Sequence, residues 1–136
     1  AAGGIALAGA NGSPPGAGDG VLTVDELARL DLSQCELAVL SACETGLGTI
    51  SAGDGLLGLR RSLRLAGARR SLTSIWRVDD QATLRCMQSF YKGLWSSGRQ
   101  PAAALREAQL AMLRAARADS GQALVGTWGA FVLEVR

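Results

Sequence analysis

Glu36-Leu37-Ala38-Val39-Leu40-Ser41-Ala42-Cys43-Glu44-Thr45-Gly46-Leu47-Gly48 is an almost unbroken apolar run that ends in a polar, glycine-bearing turn. Continuous apolarity without alternation is what a strand buried on both faces of a parallel sheet requires, so residues 36–42 are expected to form one. Immediately downstream, Leu56, Leu59 and Leu63 recur at i, i+3 and i+7, which predicts a helix from about Asp54 to Ala66, stopped by Gly67. Its other face carries Arg60, Arg61 and Arg64. The strand, turn and helix together place the thiol of Cys43 at the carboxyl end of a sheet strand, where open α/β sheets build their sites.

Further along, Ser71-Leu72-Thr73-Ser74-Ile75-Trp76 reads as the next strand. Asp79 is a good N-cap for a helix that puts Met87, Phe90, Tyr91 and Leu94 on one face, with Asp80 as a first-turn carboxylate favoured by the helix dipole. Pro101, suited to a first helical position, opens another helix through about Arg117 with Leu105, Ala108 and Met112 inward. Residues 130–135 close the chain as a strand. Upstream, Ile5-Ala6-Leu7-Ala8 reads as a short buried strand. Residues 9–20, with their glycines and two prolines, form a surface loop or a cleavable linker. Thr23-Val24-Asp25-Glu26 is a capping box that starts a short helix to about Leu30. This order predicts an α/β layer fold with a mainly parallel sheet.

Composition removes several chemistries. The 136 residues contain no histidine, which excludes a Ser-His-Asp triad, a His-ligated zinc and any histidine acid–base step by this chain alone. Three cysteines cannot make a four-thiolate zinc site, and their odd number speaks against a disulfide scaffold; no metal and no cofactor is expected. A net charge of +2 implies no strong electrostatic partner, and the sparse aromatics argue against direct nucleic-acid binding. No stretch approaches the length needed to span a bilayer and no signal peptide opens the chain, so a cytoplasmic protein with no membrane partner is expected. The start at Ala1, inside an apolar strand, reads as part of something longer.

Cys43 is the residue with reactive potential. A thiol at a sheet edge needs only a base to become a nucleophile, because free cysteine ionises near ~8.5 and thiolate is intrinsically reactive. The backbone N–H of Cys43 would serve as one oxyanion donor. The competing reading is an inert buried thiol. Cys35, without a nearby activator, and Cys86, among core residues, carry no such expectation. The arginines at 60, 61, 64, 69 and 70 read as a solvated helix face and turn, or as a docking surface for an acidic partner.

Residues 37–48 resemble the nucleophile segment of CHAT domains, caspase-like cysteine peptidases often found behind tetratricopeptide repeats. The likeness includes Leu7-Ala8-Gly9-Ala10-Asn11, Gly53-Asp54-Gly55-Leu56-Leu57-Gly58-Leu59-Arg60-Arg61, Ser74-Ile75-Trp76-Arg77-Val78-Asp79-Asp80 and the final Trp128-Gly129-Ala130-Phe131-Val132-Leu133. The resemblance implies a caspase-like three-layer sandwich, present over residues 1–136 as its C-terminal part, and peptide-bond hydrolysis by a Cys-His dyad with Cys43 as nucleophile. It implies that the histidine lies upstream of this cysteine, in a segment that would precede Ala1 or belong to another chain. That segment, a protein or peptide substrate and a tetratricopeptide-repeat region are therefore the expected partners. Ser41 falls where some relatives shape the pocket for the side chain before the scissile bond, and its lack of charge gives no preference for Arg or Lys. Ser74, Ile75 and Trp76 resemble the strand that walls the substrate cleft, where an extended peptide would add as a strand; for Trp76 the alternative is a packing aromatic at a sheet end. Glu44 and Asp54 read as solvated loop carboxylates, with a negative pocket as the alternative, and Asp79 as an N-cap, with a substrate ligand as the alternative.

Two other functions compete. A non-catalytic scaffold of the same family accounts for the missing histidine. A nucleotide-binding α/β domain would use strand, glycine turn and helix to cradle phosphate, but Gly46-Leu47-Gly48-Thr49-Ile50-Ser51 lacks the third glycine of a dinucleotide fingerprint, and no Lys-Ser or Lys-Thr pair follows.

Overall fold

A computed structural model describes residues 4–10, 12, 18–40, 52–121 and 125–136. The elements are β1 (Gly4–Ala6), β2 (Val21–Thr23), α1 (Val24–Arg29), β3 (Ala38–Leu40), α2 (Ala52–Ala66), β4 (Arg70–Ser74), α3 (Asp80–Tyr91), α4 (Pro101–Ser120), α5 (Val125–Trp128) and β5 (Phe131–Val135), with a π-helical turn over Lys92–Ser96. Helices and strands are mixed along the chain, which is an α/β fold. The chain divides into two compact units, residues 1–72 with 134–136, and Thr73–Leu133.

In the first unit β1 and β2 form an antiparallel pair in which Gly4 faces Thr23 and Ala6 faces Val21. The expected strand at residues 5–8 is thus shorter and shifted, and Leu7 is exposed instead of buried. Gly20, at φ +74°, turns the chain into β2; a Cβ there would lie 2.3 Å from the Ala10 amide nitrogen, so only glycine fits. Thr23 then caps α1: its hydroxyl accepts from the Glu26 N–H at 3.2 Å, while the Glu26 carboxylate accepts from the Thr23 N–H at 2.9 Å. These hydrogen bonds hold the Glu26 carboxyl below its ordinary 4.5. The folded pKa is depressed, so this contribution is present above the unfolded value and disappears as pH falls through the folded one. Thr23→Ala is expected to cost about 1 kcal/mol in urea unfolding at neutral pH. The difference from the native chain should shrink below the Glu26 pKa; a difference that stays constant on acidification would contradict the reciprocal cap.

Val24 and Leu27 of α1 pack on Leu59 and Leu63 of α2, with Ile5, Leu22, Leu32, Ala38 and Leu40 around them. The buried Ser62 hydroxyl donates to the Val24 carbonyl at 2.6 Å, pinning the two helices. Gly67 ends α2 as predicted, at φ +103°, where a side chain would be strained and would crowd the Ser33 backbone at 3.2 Å. The strand read over residues 36–42 is observed as β3, and its described residues are half-buried rather than sealed on both faces.

The three-stranded sheet has the order β3-β4-β5. The Arg69 N–H donates to the Cys35 carbonyl, so β3 and β4 leave the same end and run parallel across the α2 crossover. The Arg136 N–H meets the Arg69 carbonyl, and the Ile75 N–H meets the Ala130 carbonyl. Rising along β4 therefore means descending along β5, and the sheet is mixed. The Arg60 guanidinium pairs with Glu134 on β5, and Glu36 accepts from Arg69 at 2.8 Å and Arg70 at 3.4 Å.

In the second unit, Asp79 caps α3 by accepting from the Ala82 N–H at 3.0 Å. Ala82, Cys86 and Phe90 of α3 are buried, as are Ala104, Leu105 and Ala108 of α4. The π-helical turn rotates the chain after Tyr91, stacking Tyr91 on Trp95 with centroids 4.5 Å apart. The Gln109 side-chain amide donates to the Phe131 carbonyl at 2.9 Å, tying α4 to β5 within this unit.

Candidate functional site

Cys43 and Ser41 lie outside the described residues, as does Glu44, and nothing is described of the Asp54 side chain. The described part of the expected site is the carboxyl end of β4. Leu72, Thr73 and Ser74 are buried there, whereas Ile75 and Trp76, just beyond the strand, are each about one-third exposed at 36% and 37%. Of the three residues read as a cleft wall, these two present side-chain surface. The backbone N–H of Ile75 is engaged with Ala130, which fixes the direction in which the chain leaves the sheet.

Trp76 is anchored in the packing and still partly accessible. Its indole N–H donates to the Gly126 carbonyl of α5 at 2.9 Å, while over a third of the side chain stays accessible. An indole held by its N–H loses rotamer freedom, so its ring is fixed in place. The Gly126 partner had no signal in the sequence, because it is fifty residues away and contributes only backbone. Asp79 is the N-cap that the sequence indicates, which commits one carboxylate oxygen to the helix.

Thr73 was not singled out by sequence. Its hydroxyl is fully buried and finds no hydrogen-bond partner among the described residues. Leaving a buried hydroxyl unpaired costs ~1–3 kcal/mol, and replacing it by a methyl group of the same shape removes that penalty. Thr73→Val is expected to leave the melting temperature unchanged or raise it by a few degrees. A clear drop would show that the hydroxyl bonds to something in solution.

The two described cysteines differ in environment. Burial pushes the Cys86 thiol up to about 11, so it stays protonated and unreactive at neutral pH. Cys35 is half-buried, in the turn before β3. Among the described residues, no group of three or more His, Cys, Asp or Glu side chains gathers to hold a metal ion. No described helix is long and apolar enough to cross a membrane. A groove of about 530 Å³ in the second unit is walled by α3, α4 and Thr127, with alanines and Met112 inside and Arg85, Ser89 and Asp119 among its lining residues, and no cysteine is among its described lining residues.

The mixed helices and strands define an α/β protein. The profile of the CHAT domain matches residues 1–134, and the chain belongs to that family, which is caspase-like and peptidase-related. It is also similar to the mouse (Mus musculus) Tetratricopeptide repeat protein 28, at 33% identity over 113 residues. That match covers 83% of this chain and 4% of the relative, so the chain corresponds to a small part of that protein's length. No solved structure matches the chain.

Proposed function

We propose that this chain is the nucleophile-bearing, C-terminal part of a CHAT-type cysteine endopeptidase, with Cys43 as nucleophile and the histidine supplied by a segment outside these 136 residues. The observation that carries this reading is the family match across residues 1–134, a range that includes Cys43. The other two cysteines suit the role poorly: Cys86 is buried with a raised pKa, and Cys35 is half-buried in the turn before β3, away from the end of that strand. In the reaction, the imidazole removes the Cys43 proton and the thiolate attacks the scissile carbonyl. The amide C–N bond then breaks, with the imidazolium proton leaving on the amine, and water hydrolyses the thioester. The Cys43 N–H stabilises the oxyanion. Ser41 shapes the pocket for the residue before the scissile bond, and Ser74, Ile75 and Trp76 wall the cleft, with Ile75 and Trp76 supplying accessible side-chain surface. No cofactor takes part. The substrate is a protein or peptide, a tetratricopeptide-repeat region belongs to the larger protein, and the whole works in the cytoplasm.

Without the imidazole the isolated chain should turn over ~10²–10⁴-fold more slowly than the completed enzyme. A peptide carrying an acyloxymethyl ketone tests the assignment, with the modified cysteine mapped by mass spectrometry after the histidine-bearing segment is added. Labelling is expected at Cys43, with Cys35 slow and Cys86 untouched until the protein unfolds. Equally slow labelling of all three would favour the second reading, a non-catalytic scaffold, for which the absence of histidine from the chain is the supporting observation.

A further inference from the structure

The outer face of α2 combines charge and apolar surface in a way the peptidase reading does not use. Its inner face is consumed by Leu59, Ser62, Leu63 and Ala66, all buried. Outward stand Leu57 and Leu65, exposed at 60% and 63%, with Arg61 and Arg64 between them. Leu57, Arg61 and Leu65 are four residues apart, so they form one ridge of the helix surface, about 12 Å long at ~1.5 Å per residue. Arg61, Arg64 and Leu65 line an open groove of about 500 Å³ whose far side is Arg136.

Nearby carboxylates are already engaged: Glu134 pairs with Arg60, and Glu36 with Arg69 and Arg70. Among the described residues, no carboxylate pairs with Arg61, Arg64 or Arg136. Two large apolar side chains held in water beside three unneutralised guanidiniums call for a partner that supplies both apolar surface and negative charge.

We propose that this face docks an acidic amphipathic helix of a protein partner, its apolar side chains covering Leu57 and Leu65 and its carboxylates meeting Arg61, Arg64 and Arg136. The ridge-and-groove spacing is that of helix-on-helix packing. A nucleic acid would use the arginines but leave both leucines in water, and the face has no aromatic ring on which a base could stack. An anionic membrane would need a continuous apolar face, and here Arg61 interrupts the ridge.

The test is fluorescence anisotropy of the full chain with a labelled helical peptide carrying leucines at four-residue spacing and glutamates between them. A lysine-for-glutamate peptide, an oligouridylate, and phosphatidylcholine vesicles containing phosphatidylserine serve as comparison probes. The acidic peptide should bind at least about tenfold tighter than its lysine counterpart and weaken as salt is raised. Arg61→Glu with Arg64→Glu, and separately Leu57→Ala with Leu65→Ala, should each weaken it about tenfold or more. Should the charge-reversed pair unfold, Arg61→Gln with Arg64→Gln gives the same reading. The proposal is overturned if the acidic peptide fails to bind or if the alanine pair binds as the native chain does. It is also overturned if the oligonucleotide or the vesicles bind more tightly than the peptide.

Discussion

Cys43→Ala, introduced into the enzyme completed by its histidine-bearing segment, is expected to lower kcat/KM by roughly 10⁴-fold or more. In covalent catalysis the sulfur forms the bond that splits amide hydrolysis into two easier steps, and a methyl group offers no lone pair for it. What remains is the contribution of substrate binding and the oxyanion donors, which do not depend on the thiol. The fold should be preserved, since a thiol in the proposed nucleophile role must meet substrate and so contributes little to packing; a melting temperature within about 2 °C of the native enzyme is expected. Peptide turnover by the purified variant is the measurement. Activity within tenfold of the native enzyme would remove Cys43 from the mechanism and, with it, the peptidase assignment.

Phe90→Ala should produce the largest loss of stability. Phe90 is completely buried on the α3 face that also buries Ala82 and Cys86. The α4 residues buried in the same unit include Ala104 and Ala108, whose methyl groups cannot reach into the space left by an aromatic ring. Deleting the ring therefore leaves a cavity as well as forfeiting its transfer free energy, about 3–5 kcal/mol together. Against a typical total of ~5–15 kcal/mol, that is a large share, and the midpoint of thermal unfolding should fall by on the order of 10 °C. Phe90→Leu, which keeps most of the volume, should cost much less. An alanine variant within about 1 kcal/mol of the native chain by urea unfolding would show that the second unit repacks or is not held by this residue.

Local signals were the legible ones. The Thr23–Glu26 capping box, the Asp79 cap and the Gly67 stop each depend on residues within a few positions of one another, and each appears where the pattern puts it. The β1–β2 pair was not foreseen, because its strands are only three residues long and separated by the glycine- and proline-rich stretch. Strand direction was also beyond the pattern. The apolar content of residues 130–135 signals burial but not direction, and β5 proved antiparallel to β4. The π-helical turn at Lys92–Ser96 adds a residue per turn that a 3.6-residue periodicity does not display. Arg60 illustrates the limit for charges: its neighbours in sequence suggest a solvated face, yet it is held by Glu134, seventy-four positions away.

For the candidate site, residue types and their order along the chain were legible, and contacts were not. The sequence singled out Trp76 as a residue at a strand end, but its anchor is a backbone carbonyl that leaves no mark on composition. Thr73 carries an ordinary strand residue's identity, and only its complete burial makes its hydroxyl conspicuous.

The pH dependence of Cys43 alkylation by iodoacetamide bears most directly on the dyad, followed by mass spectrometry with and without the histidine-bearing segment. A neighbouring imidazolium stabilises thiolate, so the completed protein should show an alkylation midpoint well below ~7.5, and the chain alone one near ~8.5. Identical midpoints near ~8.5 in both samples would mean that no imidazole reaches the sulfur, and the Cys-His account would fail.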